Sequence, residues 1–243
     1  MELTQQDKKY ASKEYNHARL ERRRWFLRFL IKNIGFTLLA KQGPVEGLEN
    51  VPREGPALIM INHISFADPI AVINVLPRNM VPMAKIEAFN YPLVGIFPKL
   101  WEVIPVRRDE IDRRALQQAF AVLKAGELVM IAPEGTRSPQ LKPGREGVAY
   151  IASRANVPIV PTAVDGSIGF PALRPFGPWK TSGISIKFGR PFRYKPEYLR
   201  AGREHLRKMT DEAMYILAAM LPEERRGYYS DLSKATEDTI IRL

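Results

Sequence analysis

The stretch Asn62-His63-Ile64-Ser65-Phe66-Ala67-Asp68-Pro69 sets an imidazole and a carboxylate five residues apart. On one continuous helix that spacing would turn the two side chains to different faces. Asp68-Pro69, however, reads as a helix start, with Asp as N-cap and Pro at the first helical position. The residues between can then turn the carboxylate back toward the ring. An imidazole held this way is a general base, because the carboxylate fixes its tautomer and stabilises the imidazolium that forms. The spacing alone is weak, since a loop histidine beside a helix cap gives the same string. Asn16-His17 recurs with Arg22 at the same offset and no chemistry attached.

Two other groups strengthen it. Arg107-Arg108 close the run Trp101–Val106, and Glu134-Gly135-Thr136-Arg137 follow the apolar run 128–132. Arginine's planar fork matches phosphate bidentately, and glycine lets a backbone approach a ligand closely. A base, an arginine pair and a Gly-containing polar loop suit a substrate with a hydroxyl to deprotonate and a phosphate to hold. Taken singly, each has a plain alternative as a turn or a solvated strand end. All three follow a strand-like run, and ligands of α/β sheets collect at such strand ends.

The elements that must position these groups follow from the apolar pattern. Strand-like runs occur at 57–61, 81–85, 101–106, 128–132, 157–164 and 184–188, with Pro158 and Pro161 arguing for an edge or a strand end in the fifth. Helical patterns occupy 70–76, 110–125, 147–155 and 197–221, the last with a restart at Thr210-Asp211. Gly126 stands where glycine ends a helix. The alternation predicts an α/β fold with a mainly parallel central sheet wrapped by helices.

Trp25–Ala40 is apolar around most of a helical wheel, with Arg24, Arg28 and Lys32 forming one basic stripe. Sixteen residues reach only about 24 Å, short of the roughly 30 Å hydrocarbon core. The pattern predicts an amphipathic, monotopic helix lying in one leaflet, its basic side chains reaching to headgroups. The chain thus divides into a membrane-associating region at 1–42 and an α/β domain at 43–243, on the cytoplasmic side of the cell membrane. The net charge is +11 over 243 residues, and Arg174–Lys208 carries much of it. Such a region favours anionic lipid, nucleic acid or an acidic partner protein. The chain has no cysteine, which excludes disulfides and thiolate metal sites, and three scattered histidines suggest no metal. No cofactor is expected.

Asn62-His63-x4-Asp68, Ile104-Pro105-Val106-Arg107-Arg108, Ala132-Pro133-Glu134-Gly135-Thr136-Arg137-Ser138 and Val157-Pro158-Ile159-Val160-Pro161 resemble, in order, the four blocks of the glycerolipid acyltransferases. The 1-acyl-sn-glycerol-3-phosphate acyltransferases are the nearest match. Lys85-x-Glu87-x-Phe89, leading to Pro92 and Gly95, adds to it. The chain departs from the family at Arg107, where an acidic or polar residue is common, and at Ala132, where an aromatic is.

The resemblance implies that His63, held by Asp68, deprotonates the free hydroxyl of a lysophosphatidic acid. The hydroxyl then attacks the thioester of acyl-CoA or acyl-carrier protein. Lys85, Arg107 and Arg108 would bind the phosphate, and Glu134, Gly135, Thr136 and Arg137 would shape the acceptor site. The resemblance also allows acylation of another lysophospholipid or of glycerol-3-phosphate, and two other readings compete. Water in place of the lipid would make a hydrolase, but no Gly-x-Ser-x-Gly elbow is present. A nucleic-acid-binding module would use the charge, but its aromatic and recognition-helix signatures are missing, so no nucleic acid is expected.

Overall fold

The computed structural model describes residues 15–92, 95–107, 111–175 and 177–243. Arg108 lies outside them. The centre of the fold is β2 (Ala57–Ile61), five consecutive buried apolar residues, as expected of a strand covered on both faces. It pairs in parallel with β5 (Leu128–Ile131) and with β6 (Ile159–Asp165). Beyond β5 lie β3 (Met80–Lys85) and β4 (Ile104–Val106), also parallel. Beyond β6 come β7 (Ile184–Phe188), antiparallel to it, and β1 (Gln42–Glu46), parallel to β7. The order across the sheet is β1-β7-β6-β2-β5-β3-β4, with β8 (Phe192–Tyr194) and β9 (Ile240–Arg242) attached beside β6. The expected mainly parallel sheet is present.

Alternation along β2 divides the core. Leu58 and Met60 face one apolar layer with α4 (Arg113–Lys124), α5 (Gly147–Ala155) and α6 (Arg203–Ala219). Ala57, Ile59 and Ile61 face the other, with α1 (His17–Leu30), α2 (Ala67–Val75) and α3 (Ile96–Trp101). Successive strand residues point to opposite faces, so one short strand anchors both layers.

Four sequence expectations need correction. Pro158 stands at a strand end, directly before β6, but Pro161 lies inside β6, which is interior, and marks neither an edge nor an end. The carbonyl of Pro161 accepts from Gly189 N at 2.7 Å. The proline's missing N–H therefore points into the gap where β7 has ended and β8 has not begun, and no ladder bond is lost there. Trp101 belongs to α3, and its indole donates to Met80 O at 2.8 Å. Helix α6 runs without a restart, since Thr210 turns its hydroxyl onto Leu206 O at 2.7 Å. Finally, the chain after Pro222 contributes β9 and the buried Tyr229.

The largest correction concerns the N-terminal helix. Helix α1 continues as a π-helix over Ile31–Leu39. Its basic stripe turns inward. Arg24 is fully buried, donating through Nε to Trp101 O at 3.1 Å and through Nη1 to Tyr15 Oη at 2.9 Å. Arg28 donates to Leu76 O, and burial lowers its pKa. Of the stripe, only Lys32 is exposed. The outward face carries Trp25, 69% exposed, with Phe26, Phe29, Ile34, Leu38 and Leu39. A soluble amphipathic helix has the opposite arrangement. No helix among the described residues is long and apolar enough to cross a membrane.

Candidate active site

The parallel strands β6, β2, β5, β3 and β4 all end at the same edge of the sheet, and the candidate residues follow those ends. Asn62 comes first after β2. Its side chain donates to Val164 O and accepts from Val164 N, both at 2.8 Å. This amide continues the β2–β6 ladder one residue beyond the strand and fixes where His63 begins.

His63 Nδ1 lies 3.0 Å from Asp68 Oδ2. The same oxygen accepts the backbone N–H groups of Ile64 and Ser65, both at 2.7 Å. Asp68 is therefore not the expected N-cap: α2 begins at Ala67, and the carboxylate folds back over the preceding loop. That fold is the turn needed to bring the five-residue spacing together. Asp68 is 0% exposed, and its other oxygen is buried without a hydrogen-bond partner among the described residues. His63 is partly open to solvent. Facing a carboxylate, Nδ1 carries the ring proton, which leaves the Nε2 lone pair to accept another.

The loop after β5 grips the backbone of His63. Glu134 Oε1 accepts His63 N–H at 3.0 Å, and His63 O accepts Ser138 N–H at 2.8 Å. Glu134 Oε2 accepts Lys142 N–H at 3.1 Å. Burial pushes the Glu134 carboxyl up to about 7, against the two backbone amides and Lys142, which pull it down. Both oxygens of Glu134 are thus engaged by backbone, and the residue holds the His63 loop. Gly135 adopts φ +68°, where a side chain is strained, and a Cβ there would come within 2.9 Å of Arg145 Nε. Its close approach is to that arginine. Thr136 and Arg137 are exposed at the loop tip.

Lys85 ends β3 and Arg107 follows β4, two and three strands from β2. At about 4.8 Å per strand, their backbones stand roughly 10 and 14 Å along the edge from His63. Lys85 Nζ lies 5.8 Å from the Tyr91 ring centroid. The backbone N–H of Arg107 is fixed by Asp112 at 3.0 Å. Among the described residues, no cluster of His, Asp or Glu could hold a metal ion.

Sequence reasoning gave Asn62 a place in a motif but no role, and it missed Ser65 and Ser138. A polar residue directly after a fully apolar strand was the available signal for Asn62. Nothing in the sequence marked Ser138 as the partner of His63 O, because that contact joins two loops.

The chain belongs to the acyltransferase family: the family model, described as Acyltransferase, matches residues 44–165. A Bacillus subtilis 1-acyl-sn-glycerol-3-phosphate acyltransferase is 29% identical over 164 residues, covering 67% of this chain and 80% of that protein. A chloroplastic enzyme of the same name from Brassica napus is 32% identical over 130 residues, covering 51% of this chain but only 37% of that protein. Among solved structures, the 1-acyl-sn-glycerophosphate acyltransferase PlsC from Thermotoga maritima matches with a TM-score of 0.57 and 25% identity. That match covers 79% of this chain and 78% of the other.

Proposed function

We propose that the chain moves a fatty acyl group from the thioester of acyl-CoA or acyl-carrier protein to the sn-2 hydroxyl of 1-acyl-glycerol-3-phosphate. The product is phosphatidic acid, a step of phospholipid biosynthesis. The observation that carries this reading is the buried Asp68 carboxylate 3.0 Å from His63 Nδ1, at the shared edge of the parallel strands. The names of the relatives supply the acceptor.

In this mechanism Nε2 of His63 takes the proton as the lipid hydroxyl oxygen attacks the thioester carbonyl carbon. The tetrahedral oxyanion then collapses, the C–S bond breaks, and the imidazolium returns the proton to the leaving thiolate. A positioned base of this kind contributes about 10²–10⁴-fold in rate. Asp68 stabilises the imidazolium, and Glu134, through His63 N–H, is a positioning residue. Lys85 and the Arg107-Arg108 pair hold the phosphate, Lys85 and Arg107 following β3 and β4 along the edge from the base. Thr136 and Arg137 border the acceptor site.

The enzyme works on one leaflet, on the cytoplasmic side of the cell membrane, with residues 1–42 as its membrane-associating region. The exposed Trp25, Phe26, Phe29, Ile34 and Leu38 support this, as does the inward turn of Arg24 and Arg28. Aromatic and aliphatic side chains leave water for the acyl boundary, and the helix is held from behind.

The test is phosphatidic acid formation from lysophosphatidic acid and acyl-CoA or acyl-carrier protein, with wild type beside His63→Ala. The expected result is product from the wild type and a loss of at least about 10²-fold in the variant. Equal activity in both would remove His63 as the base.

A further inference from the structure

We propose that the segment Ser167–Arg174, after β6, is a second lipid-contacting element, docking on an anionic phospholipid leaflet together with the N-terminal helix. This rests on the membrane-surface reading above and extends it to a segment that meets the basic region 174–208 at Arg174.

The segment is tied to both the N-terminal element and the catalytic loop. Ala172 N–H donates to Leu39 O at 2.7 Å and Arg174 N–H to Leu38 O at 3.1 Å, so it lies directly beside the end of the π-helix. Ser65 Oγ, two residues from His63, donates to Phe170 O at 3.2 Å. Its inward side is well packed: Phe170 is buried and meets Trp179 edge-on at 6.1 Å, and the Trp179 indole donates to Ala172 O at 2.7 Å.

From that base the segment turns apolar side chains outward. Ile168 is 54% and Leu173 68% exposed, and the backbone bonds place Leu173 next to the exposed Leu38 and Leu39. Two apolar patches on adjoining elements make one larger surface, of the kind that marks an interaction site. Its surroundings are basic. The Arg174 guanidinium lies 5.6 Å from the Trp179 ring centroid, Lys180 beside it is exposed, and Lys41 Nζ donates to Thr181 O at 2.6 Å. Apolar tips ringed by lysine and arginine fit the boundary between acyl chains and anionic headgroups. The occupant is therefore a leaflet. The Ser65–Phe170 bond brings its edge to the loop carrying His63.

The chain has no cysteine, so a single introduced one takes a dye uniquely. Leu173→Cys, Trp25→Cys and Lys234→Cys, each labelled with an environment-sensitive fluorophore, are mixed with phosphatidylglycerol vesicles carrying a quencher below the headgroups. Lys234 follows Leu232, which packs against the opposite core layer, and serves as the control. The expected result is a blue shift and quenching at positions 173 and 25 and neither at 234. Insertion at 25 with the dye at 173 left in water overturns this inference alone. Insertion at neither overturns the membrane reading as well. In parallel, Leu173→Asp should lower vesicle affinity at least about tenfold, since interfacial binding scales with buried apolar area. Its melting temperature should hold, because the side chain is exposed. Unchanged affinity overturns the proposal.

Discussion

Asp68→Asn separates what Asp68 does by charge from what it does by shape. All three contacts of the carboxylate converge on Oδ2: His63 Nδ1 at 3.0 Å and the N–H groups of Ile64 and Ser65 at 2.7 Å. An asparagine amide could not point its NH2 at two N–H donors, so its oxygen must take the Oδ2 position. The ring then keeps its acceptor, its tautomer and its orientation. The other oxygen site, already buried without a partner, receives the NH2. What disappears is the negative charge facing the imidazolium. A charge-assisted bond is worth about 1.5–3 kcal/mol against about 0.5–1.5 for a neutral one, and a close ion pair reaches about 4 kcal/mol at an effective dielectric of 20. Taking roughly 1.5–4 kcal/mol for the difference, kcat should fall about 10- to 10³-fold. Asp68→Ala removes the shape too. It orphans two backbone amides at ~1–3 kcal/mol each, and at ~2–4 °C per kcal/mol the melting temperature should drop on the order of 10 °C. Steady-state kinetics on lysophosphatidic acid, with thermal melts of both variants, make the test. A kcat for Asp68→Asn within about threefold of wild type would refute the assignment of the charge.

Other outcomes follow from the same geometry. Asn62→Ala loses the two bonds to Val164 at 2.8 Å, so stability should fall by about 1–3 kcal/mol in denaturant titration and kcat should fall with KM nearly constant. The Glu134 carboxyl rises from 4.5 to about 7, so the folded state binds its proton more tightly than the unfolded state. Stability contributed through this group therefore declines as pH rises from about 4.5 to about 7, by up to ~3 kcal/mol, and is level above that. Glu134→Gln should flatten this part of the pH–stability curve, and identical curves would count against it. Lys85→Ala and Arg108→Ala should each raise KM for lysophosphatidic acid about 10- to 100-fold, the worth of one charge-assisted contact; an unchanged KM removes that residue from the phosphate site.

Much of this was legible from local pattern. The apolar run 57–61 reads as a strand and forms one, and Gly126 ends α4 with φ +83°. The bounds of α5 and β7 are the ones their periodicity gave. What could not be read was direction. A helical wheel separates Arg24, Arg28 and Lys32 from the aromatics but does not say which side meets the domain. Arginine was expected outside because a buried guanidinium needs partners, and here Trp101 O, Tyr15 Oη and Leu76 O supply them from distant parts of the chain. Pro161 in β6 misled for a related reason, because the harmless gap beside it exists only once β7 and β8 are placed. Glu134 was legible as a site residue, but its task was not: its partners, His63 N–H and Lys142 N–H, are backbone groups without a sequence signature.

The two acidic side chains around His63 illustrate how environment divides roles. Asp68 gathers two backbone amides and the ring nitrogen on one oxygen, so its negative charge is met by three donors. Glu134 receives one amide on each oxygen, and burial wins over them, carrying its carboxyl close to neutrality. Carboxyl groups whose surroundings differ in this way take different parts in acid–base chemistry. In the proposed mechanism the Asp68 carboxylate, facing the imidazole, stabilises the imidazolium. Glu134, whose proton is held more tightly than an ordinary glutamate's, follows β5, between the base and the strand ends bearing Lys85 and Arg107. If the acceptor phosphate is held at those strand ends, as proposed, a fully ionised Glu134 would repel it. In the proposed reaction, a carboxyl with a raised pKa at that place opposes the acceptor's negative charge less than an ordinary glutamate would.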